Sequence, residues 1–255
     1  MRLETIPSKL RGVEQYQLLI PSAQDLGLLR VCDVVVDMRV RNEVRTICQA
    51  VKSVIPIAKR IAVTDTGSDD GTLISLRGIA NSYPQVQLSV APCRDMTKWS
   101  LETEQQPPCP ELTALRNVVI AEAQESWIWV VDGDEIYTPE LLQYVQAVLS
   151  FAPDDIWCVF IPINWVVDRY HIAARMEPNT AWSVGRLFRR RPDLHVAGAF
   201  MGEQHCYGDM HLWYAQRHCA VMLSPGFYHY EIATKPHRRD VAELALHAGI
   251  PEIAW

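Results

Sequence analysis

The chain has 255 residues, of which 49% are apolar and 21% charged, and its formal net charge is −6. That is an ordinary globular mix, long enough to bury a sizeable core as one large domain or one domain with an appended subdomain. The negative balance argues against a binder of nucleic-acid backbone, which needs a basic stripe, but a single cationic pocket would suffice for one nucleotide.

Residues 1–33 read as an N-terminal extension. Arg2, Glu4, Lys9, Arg11 and Glu14 interrupt it, so no signal peptide is expected. Residues 34–40 form a β-branched run that predicts a first strand. Asn42 and Glu43 then open a predicted helix, with Val44, Ile47, Cys48, Val51, Val54 and Ile55 at helical spacing and Pro56 as its stop. Residues 60–64 are a second short strand, followed by a polar turn over 65–72 and a helix to about Tyr83. Residues 86–90 make a third strand. Residues 92–110, with Pro107, Pro108 and Pro110, read as a long loop. Leu112, Leu115, Val119 and Glu122 mark the next helix, and residues 127–131 the next strand. This alternation predicts an α/β fold with a mostly parallel sheet and right-handed crossovers.

After a helix over 139–151, opened by Thr138 as N-cap and Pro139 at N1, the pattern becomes mixed. Strands are predicted over 156–167, 182–190, about 195–201 and 219–230, and a helix over 235–249. Cys158 lies in an apolar run and reads as a small core residue. The seven cysteines are widely spaced, with no Cys-x-x-Cys pair, which favours a reducing, cytoplasmic setting. No apolar run approaches bilayer length, so contact with a membrane would be peripheral, at its inner face.

The chemistry concentrates at residues 127–135, Trp-Ile-Trp-Val-Val-Asp-Gly-Asp-Glu. A buried strand there ends in Asp132, Asp134 and Glu135. Carboxylates so close repel unless something positive sits among them, and a hard divalent cation is the simplest partner. The plainer reading is a polar strand end before a helix. Residues 65–72 have no P-loop pattern, and their acids would repel phosphate; they suit a base or a ribose, or they are an ordinary βα turn. Arg116 either snorkels or pairs with Glu122 or Glu125, or it faces the crevice and a diphosphate. His229 is either a packing residue between aromatics or a third metal ligand. Lys235, His237, Arg238 and Arg239 are either a basic lid or a solvated helix start. The aromatics Trp165, Tyr170, Trp182, Phe200, Tyr207, Trp213 and Tyr214 suit sugar rings or a core.

Taken in order, Val40-Arg41-Asn42-Glu43, the stretch from Thr64 to Thr72, Arg116-Asn117 and the stretch from Trp129 to Glu135 resemble the blocks of family 2 glycosyltransferases. Gly185-Arg186-Leu187-Phe188-Arg189-Arg190 is similar to the Arg-Leu-Phe-Arg block of the bacterial branch that decorates lipopolysaccharide, capsule or peptide. The resemblance covers roughly residues 34–190. It implies a single GT-A domain over 1–255, with a nucleotide-sugar-binding half at 34–137 and an acceptor-side half at 138–255. It also implies metal-dependent, inverting transfer of a sugar from a nucleoside-diphosphate donor, foremost a UDP-sugar, to a hydroxyl of a glycan, lipid-linked or peptide acceptor. No nucleic-acid partner is expected.

By the same resemblance Arg41, Glu43, Asp65, Asp69, Arg116 and Asp132 hold the donor. Asp132 and Asp134 serve Mn²⁺ or Mg²⁺, with His229 as a further ligand. Glu203 aligns with the Glu of a His-Glu pair that relatives carry, although Gly202 stands in place of the His; Asp209 and Asp168 are the alternative bases. Rival readings are a nucleotidyltransferase, which lacks its Gly-rich first turn here, and a sugar-nucleotide-binding module with a degenerate site.

Overall fold

The computed structural model describes residues 1–7, 15–93, 110–166, 171–174, 183–199, 202–208, 210–211, 218–222, 224–230 and 247–248. In chain order the elements are β1 (Arg2–Pro7), β2 (Gln15–Ile20), β3 (Cys32–Val40), α1 (Ile47–Val54), β4 (Ala58–Asp65), α2 (Thr72–Ser82), β5 (Val86–Val90), α3 (Pro110–Glu122), β6 (Trp127–Val130), β7 (Glu135–Ile136) and α4 (Pro139–Phe151). There follow β8 (Cys158–Val166), β9 (His171–Ala174), β10 (Ser183–Arg189), β11 (Leu194–Ala199), β12 (Gly202–Tyr207), β13 (Met210–His211), β14 (Cys219–Met222), β15 (Phe227–His229) and β16 (His247–Ala248).

The central sheet runs β1-β2-β14-β8-β10-β6-β3-β4-β5. Strands β6, β3, β4 and β5 are mutually parallel, as the predicted β-α-β alternation requires. Helices cover both faces, so β3 is apolar on both: Val34, Val35, Val36 and Met38 are fully buried. Strand β10 breaks the direction, lying antiparallel between β6 and β8. The small sheet β11-β12-β13 stands apart.

Strand β8 belongs to two layers. Its first half pairs with β10 and β14, and its second half with β15 and β9. Strand β15 also pairs with β7, setting His229 opposite Glu135. This is why residues 219–230 are two strands rather than one: β14 stays in the central sheet, and β15 follows the far half of β8. Gly226 allows the crossing, because a Cβ there would come within 2.9 Å of the Pro162 carbonyl oxygen.

Three further expectations are adjusted. α1 starts at Ile47, not at Asn42, because Asn42 is left-handed (φ 57°) and tied to the neighbouring turn. Residues 247–248 are strand, not helix, since they pair with Ile172 and His171; residues 235–246 and 249 lie outside the described residues. Residues 1–33 contain β1 and β2, and β2 is a parallel neighbour of β14 in the main sheet. Thr138 caps α4 as expected, accepting the Leu141 N–H at 3.2 Å. Among the described residues no helix is long and apolar enough to cross a membrane.

Candidate functional site

The carboxyl ends of parallel strands are where α/β sheets open a crevice for ligands. Here the ends of β3, β4 and β6 carry Glu43, Asp65 and the Asp132–Glu135 turn. The first two segments are stitched together by side chains. Asn42 N–H donates to Ser68 Oγ (3.0 Å), and Asn42 Oδ1 accepts the Asp69 N–H (2.9 Å). Asp70 accepts the N–H groups of Val44 and Thr72, and Thr72 Oγ1 accepts the Glu43 N–H at 2.8 Å. The turn over 65–72 therefore serves structure through Asp69 and Asp70, while Asp69 itself remains exposed. Arg41 donates to the Cys93 carbonyl at 3.2 Å.

Asp65 is different. It is 1% exposed, and its Oδ1 accepts the N–H groups of Gly67 and Ser68, both at 3.0 Å. Its Oδ2 is buried with no hydrogen-bond partner. A carboxylate oxygen in that state costs free energy unless a donor arrives.

Gly133 lets the acidic turn approach Glu43. A Cβ there would stand 2.9 Å from Val40 Cγ1 and 3.0 Å from Glu43 Cγ. Asp134 is buried, its Oδ1 lies 3.2 Å from His229 Nε2, and its carbonyl accepts the Tyr230 N–H. The imidazole also packs against Trp165, with ring centroids 4.4 Å apart.

Arg186, quoted in the sequence only as part of a block, turns out to be central. Its Nη2 donates to Asp132 Oδ2 at 2.7 Å and also meets Glu135 Oε1. Desolvation works against the charged form of Asp132, yet the guanidinium overrides it and holds the carboxyl below its ordinary pKa. Glu135 is fully buried, and that burial pushes its carboxyl up to about 7 in spite of the guanidinium. The positive charge that the acidic cluster requires is thus supplied by the chain.

The donor set nevertheless fits a divalent ion in kind: carboxylate oxygens and an imidazole. Adjacent donors on an octahedral ion with bonds of 2.1 Å stand about 3 Å apart, close to the Asp134–His229 spacing. With Asp132 bonded to Arg186, no group of three His, Cys, Asp or Glu side chains converges among the described residues.

Arg116 is not at the surface of the crevice. It is 2% exposed, and its Nη1 donates to Asp37 Oδ2 at 2.6 Å inside the sheet. Glu125 takes Arg60 through two bonds of 3.1 and 3.2 Å. Asn117 clamps β11, bonding both the N–H and the carbonyl of Val196. Glu203 is placed through its backbone, opposite Gly198 in the β11–β12 pair. Asp168, Asp209 and the basic group at 235–239 lie outside the described residues, as do Tyr170, Trp182, Phe200, Trp213 and Tyr214.

A further residue, His205, carries no signal in the spacing of the sequence. It stacks on Phe188 at 3.7 Å between centroids, and its Nε2 is buried without a partner. Burial, and then the charges of Arg116, Arg39 and Arg186, hold its pKa well below 6.5.

Comparison with known proteins bears on this arrangement. Residues 111–209 match the family described as Glycosyl transferase family 2. No curated protein matches the sequence. Similar solved structures include a mannosyltransferase from Pyrobaculum calidifontis in complex with GDP-Man and Mn²⁺ (17% identity, 51% of this chain and 35% of that one, TM-score 0.38). TarS of S. aureus is another (14% identity, 78% and 60%, TM-score 0.47). A third is glucosyl-3-phosphoglycerate synthase from Mycobacterium tuberculosis with Mn²⁺, UDP and glucosyl-3-phosphoglycerate (14% identity, 88% and 89%, TM-score 0.47). The chain spans about a third of the length of the first and three fifths of the second. Residues 111–209, with the acidic turn and Arg186 among them, are thus similar to glycosyltransferase family 2, and the sheet that carries them is mixed and mostly parallel.

Proposed function

We propose that the protein is a metal-dependent, inverting glycosyltransferase. It moves a sugar from a nucleoside-diphosphate donor, a UDP-sugar, to a hydroxyl of a glycan, lipid-linked or peptide acceptor. The observation that carries this reading is Asp65. One oxygen accepts two N–H groups of the turn, and the other is buried and unpartnered, at the end of a parallel strand. Such an acceptor is suited to the N–H or hydroxyl of a nucleoside.

In this proposal Glu43 and Asp65 take the base and ribose. Arg41 and Asp69 border the same turn, and Asp132 faces the donor from the acidic turn. Asp134 and His229 hold Mn²⁺ or Mg²⁺. Bound there, the ion would neutralise charge on the departing diphosphate as a Lewis acid. Glu203 takes the proton of the acceptor hydroxyl as general base, a role that rests on the family resemblance. Arg116 acts on the donor indirectly, by fixing β3 through Asp37.

Thermal stability with UDP, GDP, dTDP and CDP, each with and without Mn²⁺, tests the reading. A ligand that binds only the folded chain raises Tm. The expected result is a rise with UDP that Mn²⁺ enlarges and that Asp65→Asn reduces. No shift with any nucleotide would overturn the donor assignment.

A further inference from the structure

Arg186 reaches the acidic turn through a defect in the sheet. In the β10–β8 pair, Gly185 faces Phe160 and Leu187 faces Val159, so Arg186 is the extra residue of a β-bulge. Bulges re-aim a single side chain. The residue before it, Gly185, is closely packed in its own right: a Cβ there would meet Cys158 Sγ at 3.2 Å and Phe188 Cζ at 3.4 Å.

The guanidinium is fixed on several sides. Glu135 binds it from the interior, and the Phe227 ring lies 5.7 Å from its carbon. The second oxygen of Glu135 accepts the Tyr137 hydroxyl at 3.2 Å and the Asp132 N–H at 3.3 Å. Outward, the same Nη2 holds Asp132, whose side chain is 39% exposed. Glu135, Arg186 and Asp132 thus form a chain of contacts from the core to the crevice.

We propose that Arg186 is the built-in counter-ion of the acidic turn, a positioning residue that engages Asp132 and withholds it from a divalent cation. Asp134 and His229 are then the chain's own donors to the ion. The proposal rests on the reading of those two residues given above. It follows that the turn keeps its shape without metal, and that Mn²⁺ alone binds weakly because a fixed positive charge stands beside the site. Without the guanidinium, Asp132 is released to join Asp134 and His229, and the cluster is left short of a cation.

The test is Mn²⁺ binding without nucleotide, followed by loss of the free-ion electron paramagnetic resonance signal. It is run on the wild type, Arg186→Lys, Arg186→Gln and the double variant Arg186→Gln/Glu135→Gln. The double variant removes the buried acid that Arg186→Gln strands, so it serves if the single change does not fold. The expected result is Mn²⁺ affinity at least tenfold higher once Arg186 is replaced by Gln, with a matching gain in Tm on adding Mn²⁺. Arg186→Lys, which retains the charge, stays near the wild type. Unchanged or weaker affinity in a folded Gln variant would overturn the proposal. So would the absence of Mn²⁺ binding in every variant, and the UDP-dependent Tm shift would then report separately whether the donor assignment survives.

Discussion

His229 Nε2 stands 3.2 Å from Asp134 Oδ1, although the two residues lie in segments far apart in the chain. The pairing of β15 with β7 brings them together, setting His229 across from Glu135. Replacing Asp134 with Asn keeps the shape and the backbone bond to Tyr230 but removes the charge. Glycosyl transfer should fall by on the order of 10²–10³ in kcat, as when one group stabilising transition-state charge is lost. Tm should move by only a few degrees. Initial rates with a UDP-sugar, beside a thermal melt, check both; wild-type turnover in Asp134→Asn would remove the residue from the metal role.

Gly133 gives a steric prediction. Its place is set by close approach to Val40 and Glu43, at 2.9 and 3.0 Å from an added Cβ. Val40 is buried and branched and cannot easily give way. Gly133→Ala should therefore cost about 1–3 kcal/mol, the range for overpacking. It should also push the acidic turn away from Glu43 and weaken UDP binding more than stability alone accounts for. Urea melts and UDP titration under fully folded conditions separate the two effects.

The fold was largely legible because hydrophobic period and turn chemistry are local. The strands at 86–90 and 127–130, and helix α4 with its Thr138 cap, appear where spacing puts them. The position of Asp65 and of the acidic turn at strand ends was legible for the same reason. What spacing cannot encode is a partner: Asp37 lies 79 residues from Arg116, and Asp132 lies 54 from Arg186. The Arg186 bulge is a shift of register between β10 and β8, which has no periodic signature. A divalent cation was expected among the acids on electrostatic grounds; that a guanidinium also stands there follows only from the sheet order, which sets β10 beside β6.

The buried Asp37–Arg116 pair separates a structural from a ligand-contacting arginine. Both side chains are at most 3% exposed. Arg116→Met removes the guanidinium that Asp37 bonds in the core and should cost about 3–5 kcal/mol. The double variant Asp37→Leu/Arg116→Met, which removes both charges, should recover most of that loss. UDP affinity in the double variant should then be within a few-fold of the wild type. A large loss of UDP affinity in a stable double variant would show that Arg116 touches the donor after all.

His205 gives the pH dependence. Burial and the facing charges of Arg116, Arg39 and Arg186 keep the folded-state pKa well below 6.5, while the unfolded chain titrates near that value. Below about pH 6.5 the unfolded state takes up a proton that the folded state refuses, so it binds more protons and stability falls with falling pH. Above that pH both states are neutral at this residue, and its contribution is flat. One such group gives a slope of at most about 1.4 kcal/mol per pH unit, confined to the window between the depressed folded pKa and 6.5. His205→Phe keeps an aromatic ring against Phe188 and has nothing to titrate. Urea melts of the wild type and the variant from pH 7.5 down to 5 should diverge below 6.5, the wild type losing more stability. Parallel curves would mean that His205 takes up its proton in the folded state as readily as in the unfolded one, and that the three arginines do not set its charge.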